Sequence, residues 1–345
     1  MNKKTFLVTG ATGLIGSNIV NKLLESEDVR IIALVRSESR LREMYGKYID
    51  NGSLEYVIKD LIADFNLGSI SGDAPIDVII HAASPISRYM FKEQPVDVIK
   101  PNIIAATSLL DGLVVQKRKM GVNGRIIIFS SNAVYGMNSP IDIKIKETDT
   151  QYTEGLDGMN AAYSEAKRMT EVLAQAYVKQ YGVDAVIVRP SAVYGAAFYP
   201  PEIPIYEFVN NALSGEDIHL KSSGLPKRDN IYIDDAVSAI FTILEKGKTG
   251  EAFNLGGNKE NFVSYDEIAE IIAKISGEVL PNQINVIHEA PPAGSRKPGM
   301  LLDNSKLEAL GWKPNIGQYE GLKETILKQK EYNAYRSQIN SSTAL

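Results

Sequence analysis

Tyr163 and Lys167 are the two residues of this chain whose types and spacing best suit proton transfer. They lie four positions apart in a segment with helical patterning, residues 161–181, so their side chains share one face. Tyrosine has an ordinary pKa near ~10, and acid–base work near neutral pH needs a shift of roughly 3 units. A nearby cation can supply that shift because it favours the phenolate. An isolated Tyr-x-x-x-Lys is more often a surface pair, so its meaning depends on the rest of the chain.

Ser131 is a third candidate because it ends a predicted strand, residues 124–131. Ligands of doubly wound sheets bind at the carboxyl ends of the strands, where a hydroxyl can hold a substrate oxygen. His81 also ends a predicted strand, and we expect it to be a hydrogen-bonded structural histidine rather than a catalyst.

Three glycines, Gly10, Gly13 and Gly16, follow an apolar run and open an amphipathic segment. This spacing suits pyrophosphate binding: Gly10 can take backbone angles closed to other residues, Gly13 lets the main chain approach a phosphate, and Gly16 lets the helix pack on the strand. The start of that helix offers free N–H groups and a partial positive charge. Alone, the glycine turn is weak evidence for a ligand. Because a strand-end serine and a Tyr-x-x-x-Lys follow it in the chain, the three features together indicate function.

These residues need a scaffold of alternating strands and helices. Apolar runs predict strands at residues 6–9, 29–35, 54–58, 77–81, 124–131, 185–189 and 251–255. Helical patterning predicts helices at residues 14–24, 37–48, 102–115, 161–181, 205–213, 231–246 and 264–275. Asp234 or Asp235 is expected to cap the sixth helix, and Ser264 with Glu267 forms a capping box for the last one. Residues 137–160 and 281–298 are expected to be loops, and the chain is expected to fray after residue 331.

The order of strands and helices implies a parallel sheet. We therefore predict an α/β fold, a doubly wound (Rossmann) sheet with a smaller mixed substrate-binding lobe at its C-terminal side. The dinucleotide-binding domain is expected at residues 1–193 with a return segment at 230–257. The lobe is expected at residues 194–229 and 258–335, followed by a tail at 336–345.

The composition excludes several classes of function. The chain has 345 residues, 44% of them hydrophobic, with 37 basic and 42 acidic residues, which gives no support to nucleic-acid or membrane-surface binding. The absence of cysteine excludes disulfides, thiolate zinc sites and cysteine nucleophiles, and we predict no metal site. A cytoplasmic protein is expected, since the glycines interrupt the apolar run after Lys3 and Lys4, and no small-x-small cleavage site follows.

Motifs along nearly the whole chain make it resemble the extended short-chain dehydrogenases/reductases, the group that includes nucleotide-sugar epimerases, dehydratases and ketoreductases. The matching positions are residues 9–16, 60–61, 81–83, 102, 130–136, 163–167, 189–190, 193–195, 228, 232–235, 254–256 and 303–314. Together these motifs are highly specific for the fold and the cofactor class, and less so for the reaction.

The resemblance implies that Tyr163 is the acid/base, that Lys167 bonds the nicotinamide ribose, and that Ser131 holds the reacting oxygen. The implied cofactor-binding residues are Gly10, Thr12, Gly13, Leu14, Ile15, Gly16, Arg36, Ser37, Asp60, Leu61, Ala82, Ala83, Asn102, Tyr163, Lys167 and Pro190. The implied substrate-binding residues are Ser84, Asn132, Arg228 and Arg296. The helix after Asn102 and the Tyr163 helix would pair with a second copy, giving a homodimer.

Arg36 is the first departure from the pattern of this group. Its NAD-dependent members usually carry an acidic residue at the end of the second strand, whereas an arginine there can hold a 2′-phosphate. Arg36, Ser37 and Arg40 therefore favour NADP(H) over NAD(H), although an Arg36 that only stacks on the adenine would admit either cofactor.

Two further departures concern the reaction. Asn132 and Ala133 stand where the resembling 4,6-dehydratases carry Asp-Glu, and the decarboxylases keep the glutamate. Dehydration and decarboxylation are therefore disfavoured, despite a decarboxylase-like Ala-Ser-Pro at residues 83–85. Ala192 replaces an asparagine that contacts the sugar diphosphate in many members, which leaves Arg228 and Arg296 as the expected diphosphate ligands.

We therefore expect an NADP(H)-dependent 4-ketoreductase of a 4-keto sugar nucleotide. The chief alternative is a nucleotide-sugar 4-epimerase with tightly bound NAD(P), which would use the same three residues. A reductase of small ketones without a nucleotide is favoured by Ala192 and disfavoured by the two arginines. A non-catalytic NADP(H)-sensing protein is disfavoured by the complete Ser131, Tyr163 and Lys167 set.

Overall fold

The computed structural model describes residues 3–63, 66–72, 74–136, 144–149, 155–220, 227–289 and 299–343. Its strands are β1 (Lys4–Thr9), β2 (Val29–Val35), β3 (Glu55–Ile58), β4 (Val78–His81), β5 (Arg125–Phe129), β6 (Lys144–Ile145), β7 (Asp184–Pro190), β8 (Ala192–Tyr194), β9 (Ile218–Leu220), β10 (Lys227–Tyr232), β11 (Ala252–Leu255), β12 (Phe262–Ser264), β13 (Val286–His288) and β14 (Leu301–Leu302). Its helices are α1 (Leu14–Leu24), α2 (Glu38–Asp50), α3 (Leu67–Ser71), α4 (Arg88–Glu93), α5 (Pro95–Met120), α6 (Ala161–Tyr181), α7 (Pro204–Ser214), α8 (Ile233–Lys246), α9 (Tyr265–Val279), α10 (Ser305–Glu308) and α11 (Gln318–Thr343), with 3₁₀ turns at Asn132–Tyr135 and Lys259–Asn261.

The main sheet has seven strands in the order β11-β7-β5-β4-β1-β2-β3, and every neighbouring pair is parallel. The predicted doubly wound sheet is therefore confirmed. The strand order reverses between β1 and β4, and ligands of such sheets bind in the crevice that opens there at the carboxyl ends of the strands.

Helices cover both faces of this sheet, which is why its strands are continuous apolar runs. Val8 and Ile127 point into a core shared with α1 and α8, while Leu7 and Ile126 point into a second core with α3 and α5. The first core continues without a gap into α7, α9 and α11. The smaller lobe is therefore packed on the sheet through a common core.

Short sheets build the smaller lobe: β10 pairs in parallel with β8 and antiparallel with β12, β9 pairs with β13, and β6 pairs with β14. Asp229 on β10 links this strand to β14 and to the chain after β11. Its carboxylate accepts hydrogen bonds from the N–H groups of Gly257 at 2.8 Å and Leu302 at 3.0 Å. Burial raises the pKa of Asp229 to about 7.

Three local predictions differ from the structure. The helix expected from residue 102 begins at Pro95, and Pro101 lies inside it. Neither Asp234 nor Asp235 caps α8, whose N-cap is Tyr232; Asp235 instead accepts from two N–H groups of the chain before α11, at residues 315 and 316. The C-terminal helix continues to Thr343, beyond the expected fraying point. The capping box of Ser264 and Glu267 is confirmed.

Of the described helices, only α5 is long and apolar enough to cross a membrane by length and composition. Its side chains Leu109, Leu110 and Leu113 are buried against the main sheet. This is the packing of a core helix.

Candidate active site

The glycine turn between β1 and α1 has the backbone geometry that the sequence predicts. Gly10 has a φ of 71°, and a Cβ there would lie 2.8 Å from the Ala83 amide nitrogen. A Cβ on Gly16 would lie 2.7 Å from the carbonyl carbon of Gly10 and closer still to its oxygen. Gly16 therefore allows α1 to pack on the turn itself rather than on the strand.

Gly13 is the residue of this turn that leaves room for a ligand. It is the exposed N-cap of α1, it provides no side-chain cap, and an added Cβ would only reach ordinary contact distance from Gly10. Thr12, Leu14 and Ile15 are half-buried around it. The first N–H groups of α1 are thus presented where a pyrophosphate would bind, so the turn fits a dinucleotide.

The adenosine end of the site is expected at the carboxyl ends of β2 and β3, which are neighbours in the sheet. Arg36 is exposed directly after β2, and Ser37 is the N-cap of α2, accepting from the Arg40 N–H at 3.3 Å. After β3, the Asp60 carboxylate accepts from the Ile62 N–H at 3.1 Å, and Leu61 packs against the core. The predicted adenosine residues therefore share one edge of the sheet.

Thr9 and His81 join the ends of β1 and β4 beneath the predicted cofactor site. The Thr9 hydroxyl accepts from the Ala83 N–H at 3.2 Å and is 2.9 Å from His81 Nδ1. Burial, with Lys167 nearby, lowers the pKa of His81 to about 3, so this imidazole is neutral. His81 is hydrogen-bonded and structural, as the sequence predicts, and Ala82 packs beside it in the core.

Tyr163 and Lys167 lie on one face of α6, and Ser131 follows β5, so the structure brings the three residues together. The Ser131 side chain lies near enough to the Tyr163 phenol to lower its pKa. Lys167 Nζ donates to the Phe129 carbonyl at 2.8 Å and lies 5.8 Å from the centre of the Tyr163 ring. The Ser131 hydroxyl also accepts from the Ala133 N–H at 3.1 Å, which fixes its position.

The electrostatics of this group differ from the prediction. Burial raises the pKa of Tyr163, and only the neighbouring Ser131 side chain opposes that rise. Burial also lowers the pKa of Lys167 to about 7, although the negative charge of Glu171 works against this. The expected lowering of the Tyr163 pKa by Lys167 is therefore not present in this structure, because the ammonium is directed to a backbone carbonyl.

A buried ion pair that the sequence analysis did not assign lies behind Lys167. Arg189 Nε and Nη2 donate to the two carboxylate oxygens of Glu171 at 2.8 and 2.7 Å. Arg189 also donates to the hydroxyl of Tyr135 at 2.7 Å, and that hydroxyl donates to Asn254 at 2.6 Å. Glu171 is four residues after Lys167, so the helical spacing was the available signal for its position.

Phe91 is a second residue that the sequence analysis missed. Its ring stacks on Tyr163 with centroids 4.8 Å apart and an angle of 23° between the planes. Asn102, an expected cofactor-binding residue, is buried and accepts from the hydroxyl of Ser84, an expected substrate residue, at 2.9 Å. Phe91 is therefore the residue after β4 that contacts Tyr163.

The predicted substrate residues are only partly brought to this group. Asn132 Oδ1 accepts from the Ser131 hydroxyl at 3.3 Å. Arg228, on β10, stacks over the Tyr265 ring at 5.0 Å, and its buried Nε has no hydrogen-bond partner among the described residues. Pro190 is buried at the end of β7. Arg296 lies outside the described residues.

The described parts of the chain contain no group of three or more His, Cys, Asp or Glu side chains that could hold a metal. The polar side chains of Ser131, Tyr163 and Lys167 are instead a hydroxyl, a phenol and an amine. These suit proton transfer and hydrogen bonding to a substrate oxygen.

Comparison with known proteins agrees with this geometry. The chain is 29% identical to UDP-glucuronic acid decarboxylase 3 of Arabidopsis thaliana over 92% of its own length and 86% of that protein. A UDP-glucose 4-epimerase from Thermotoga maritima, solved with UDP-glucose, superimposes with a TM-score of 0.79 at 25% identity, covering 96% of this chain and 99% of that one. A dTDP-glucose 4,6-dehydratase from Bacillus anthracis, solved with NAD, has the same fold, with a TM-score of 0.78, 24% identity and coverage of 96% and 98%.

The sequence model of the NAD dependent epimerase/dehydratase family matches residues 6–256, which include the glycine turn, Ser131, Tyr163 and Lys167. The chain is an enzyme and belongs to the NAD dependent epimerase/dehydratase family.

Proposed function

We propose that this enzyme exchanges hydride at C4 of a nucleotide-linked sugar, and that its overall reaction is 4-epimerisation. One observation carries the proposal: the Ser131 side chain lies beside the Tyr163 phenol at the carboxyl edge of the sheet, while the next two positions, Asn132 and Ala133, carry no carboxylate. A phenol and a hydroxyl can move the C4 proton. Positions 132 and 133 supply no acid or base for eliminating water or assisting loss of CO₂.

Tyr163, Ser131 and Lys167 have different roles in this reaction. When bound, the nicotinamide accepts and returns the hydride. The phenolate form of Tyr163 would take the proton from the C4 hydroxyl during oxidation, and the resulting phenol would give it back during reduction. Ser131 donates to the same oxygen and holds it beside the phenol. Lys167, buried with its ammonium on the Phe129 carbonyl, keeps two further N–H donors, which would bond the nicotinamide ribose.

The similarity to a UDP-glucose 4-epimerase supports epimerisation over net reduction. A 4-ketoreductase is the second candidate, and Arg36 is the observation that favours it, since an exposed arginine after β2 suits NADP(H), the usual donor for net reductions. We propose NADP(H) as the preferred cofactor on that ground.

A homodimer is the proposed assembly. Large apolar side chains of α5 and α6 are exposed on the packed helix pair: Ile104, Val115, Met169 and Val172. Pairing with the same helices of a second copy would bury them. Light scattering should give about twice the chain mass, and a monomer at micromolar concentration would contradict this assembly.

The reaction is tested with purified enzyme, UDP-glucose and each nicotinamide cofactor. A 4-epimerase forms the C4 epimer without a lasting change in absorbance at the reduced-nicotinamide band. A ketoreductase leaves UDP-glucose unchanged but consumes the reduced cofactor in proportion to an added 4-keto sugar nucleotide. Ser131→Ala and Tyr163→Phe should abolish either activity while leaving cofactor binding intact, and an active Tyr163→Phe enzyme would refute the proposed role.

A further inference from the structure

The corner between β2 and α2 carries an excess of positive charge. Arg36 and Arg40 lie on either side of the α2 N-cap. Of the acidic residues on α2, Glu38 accepts from Arg42 at 2.8 Å and from the Tyr56 hydroxyl at 2.6 Å, on the side facing β3. Glu38 is therefore engaged by Arg42 and Tyr56, and Glu43 is the carboxylate of α2 that lies at this corner, where it is hydrogen-bonded to Tyr199.

A distant part of the chain adds a third arginine to this corner. The guanidinium carbon of Arg40 lies 4.8 Å from the centre of the Tyr199 ring, and that of Arg336, on α11, lies 5.2 Å from the same centre. The Tyr199 hydroxyl donates to Glu43 of α2 at 2.6 Å. Tyr199 thus links α2, the chain after β8 and the C-terminal helix.

The end of α11 is fixed at this place by aromatic contacts. The Phe198 ring packs against the rings of Tyr332 and Tyr335, with centroids 5.7 and 6.1 Å apart, and lies 5.9 Å from the Arg336 guanidinium. Arg336 is half-buried as a result. Its position is therefore set by packing rather than by an acidic partner.

None of Arg36, Arg40 and Arg336 forms an ion pair within the described ranges of the chain. Two guanidinium groups on one ring repel each other, and a bound anion would remove that repulsion. Planar guanidinium groups bind phosphate through paired, charge-assisted hydrogen bonds. The end of β2 is also where the adenosine ribose lies in doubly wound sheets.

We propose that Arg336 and Tyr199 complete a pocket for a phosphate on the adenosine ribose. Arg36, Arg40 and Arg336 bind the phosphate, and Tyr199 is a positioning residue that holds Arg40 and Arg336 toward it. The C-terminal helix then determines the choice between NADP(H) and NAD(H). This inference rests on the proposed preference for NADP(H) and does not depend on which reaction occurs at C4.

Calorimetric titration with adenosine 2′,5′-bisphosphate and with AMP separates the 2′-phosphate from the rest of the nucleotide, because the two ligands differ only in that phosphate. Arg336→Met should weaken binding of the bisphosphate by about five-fold, the effect expected of one partly exposed charge contact, and leave AMP binding unchanged. Tyr199→Leu should do the same, and Tyr199→Phe should retain most of the affinity because the ring is kept. Arg118→Met is the matched control: it removes an arginine stacked on a tyrosine far from α2 in the chain, and it should not change the ratio of the two affinities.

Equal loss of both ligands in Arg336→Met, or no loss of either, would overturn the proposal. If Arg336→Met kept the wild-type ratio of the two affinities, the proposal would be overturned even if Tyr199→Leu failed to fold. The whole series is repeated in a Tyr163→Phe background, where C4 chemistry is removed. A selective loss there supports the pocket even if the proposed reaction is wrong, and a wild-type enzyme that binds AMP as tightly as the bisphosphate refutes the pocket even if the reaction is right.

Discussion

Alanine substitutions at Gly16 and Gly13 should separate the folding role of the glycine turn from its binding role. A Cβ on Gly16 would lie 2.7 Å from the Gly10 carbonyl carbon, whereas carbon atoms normally approach to about 3.5 Å, so the turn must move by about 1 Å. Since the neighbour is backbone and cannot rotate away, we expect a loss of about 2–3 kcal/mol in the free energy of unfolding. The displaced N–H groups should also bind the cofactor less tightly.

Gly13→Ala should weaken cofactor binding without lowering the free energy of unfolding. Its Cβ would make only ordinary contact with Gly10, so the free energy of unfolding should not fall. The methyl group would occupy the open side of the turn and should weaken nicotinamide cofactor binding by about ten-fold or more. Gly46→Ala is the control: it meets nothing within 4 Å in the interior of α2, so it should stabilise the fold by about 0.5–1 kcal/mol and leave binding unchanged.

Urea unfolding without cofactor and fluorescence titration with cofactor measure the two effects in the same preparations. A Gly16→Ala enzyme with wild-type stability would refute the packing argument. A Gly13→Ala enzyme with wild-type affinity would refute the assignment of the turn to the pyrophosphate.

Three further predictions concern charged groups. The folded chain holds the Lys167 proton less tightly than the unfolded chain, so Lys167 lowers the free energy of unfolding below about pH 7, and this cost disappears toward ~pH 10. The urea midpoint of Lys167→Met should therefore exceed that of the wild type most at pH 7. A difference that stays constant with pH would contradict this. Glu171→Gln should lower the free energy of unfolding by about 3–5 kcal/mol, because Arg189 keeps a buried charge, whereas a Glu171→Leu/Arg189→Met double variant should lose less; urea melts that rank them the other way would refute it. Steady-state kinetics of Arg228→Ala should show a larger rise in KM than fall in kcat if Arg228 holds the diphosphate, and a pure kcat effect would exclude that role.

The sheet and the glycine turn were predictable from the sequence because their determinants are local. Continuous apolar runs mark strands buried on both faces, and a residue such as Gly10 needs backbone angles that few others adopt. The proximity of Ser131 and Tyr163 was also predictable, because the sequence pattern places Ser131 at the end of a strand and Tyr163 on one face of a helix. Helix ends were less predictable: Asp235 has the residue type of a cap but bonds a distant segment instead.

The properties that depend on side-chain direction could not be read from the sequence. The spacing of Tyr163 and Lys167 predicts a shared face, but not that the ammonium turns to the Phe129 carbonyl, so the expected effect on the Tyr163 pKa was wrong. Phe91 reaches the Tyr163 ring from a separate helix, and Arg336 reaches α2 from nearly 300 positions away in the chain. Such long-range contacts leave no periodic signal.

The central claim is that this site performs oxidation and reduction at C4 and no elimination. Its most direct test is NMR analysis of the products formed from UDP-glucose, UDP-glucuronic acid and dTDP-glucose by the wild-type enzyme and by Tyr163→Phe. We predict a C4 epimer from at least one of the three with the wild type, no product with Tyr163→Phe, and neither CO₂ release nor a 4-keto-6-deoxy sugar. A decarboxylated or dehydrated product would contradict the account, because it would require an acid or base that Asn132 and Ala133 do not provide.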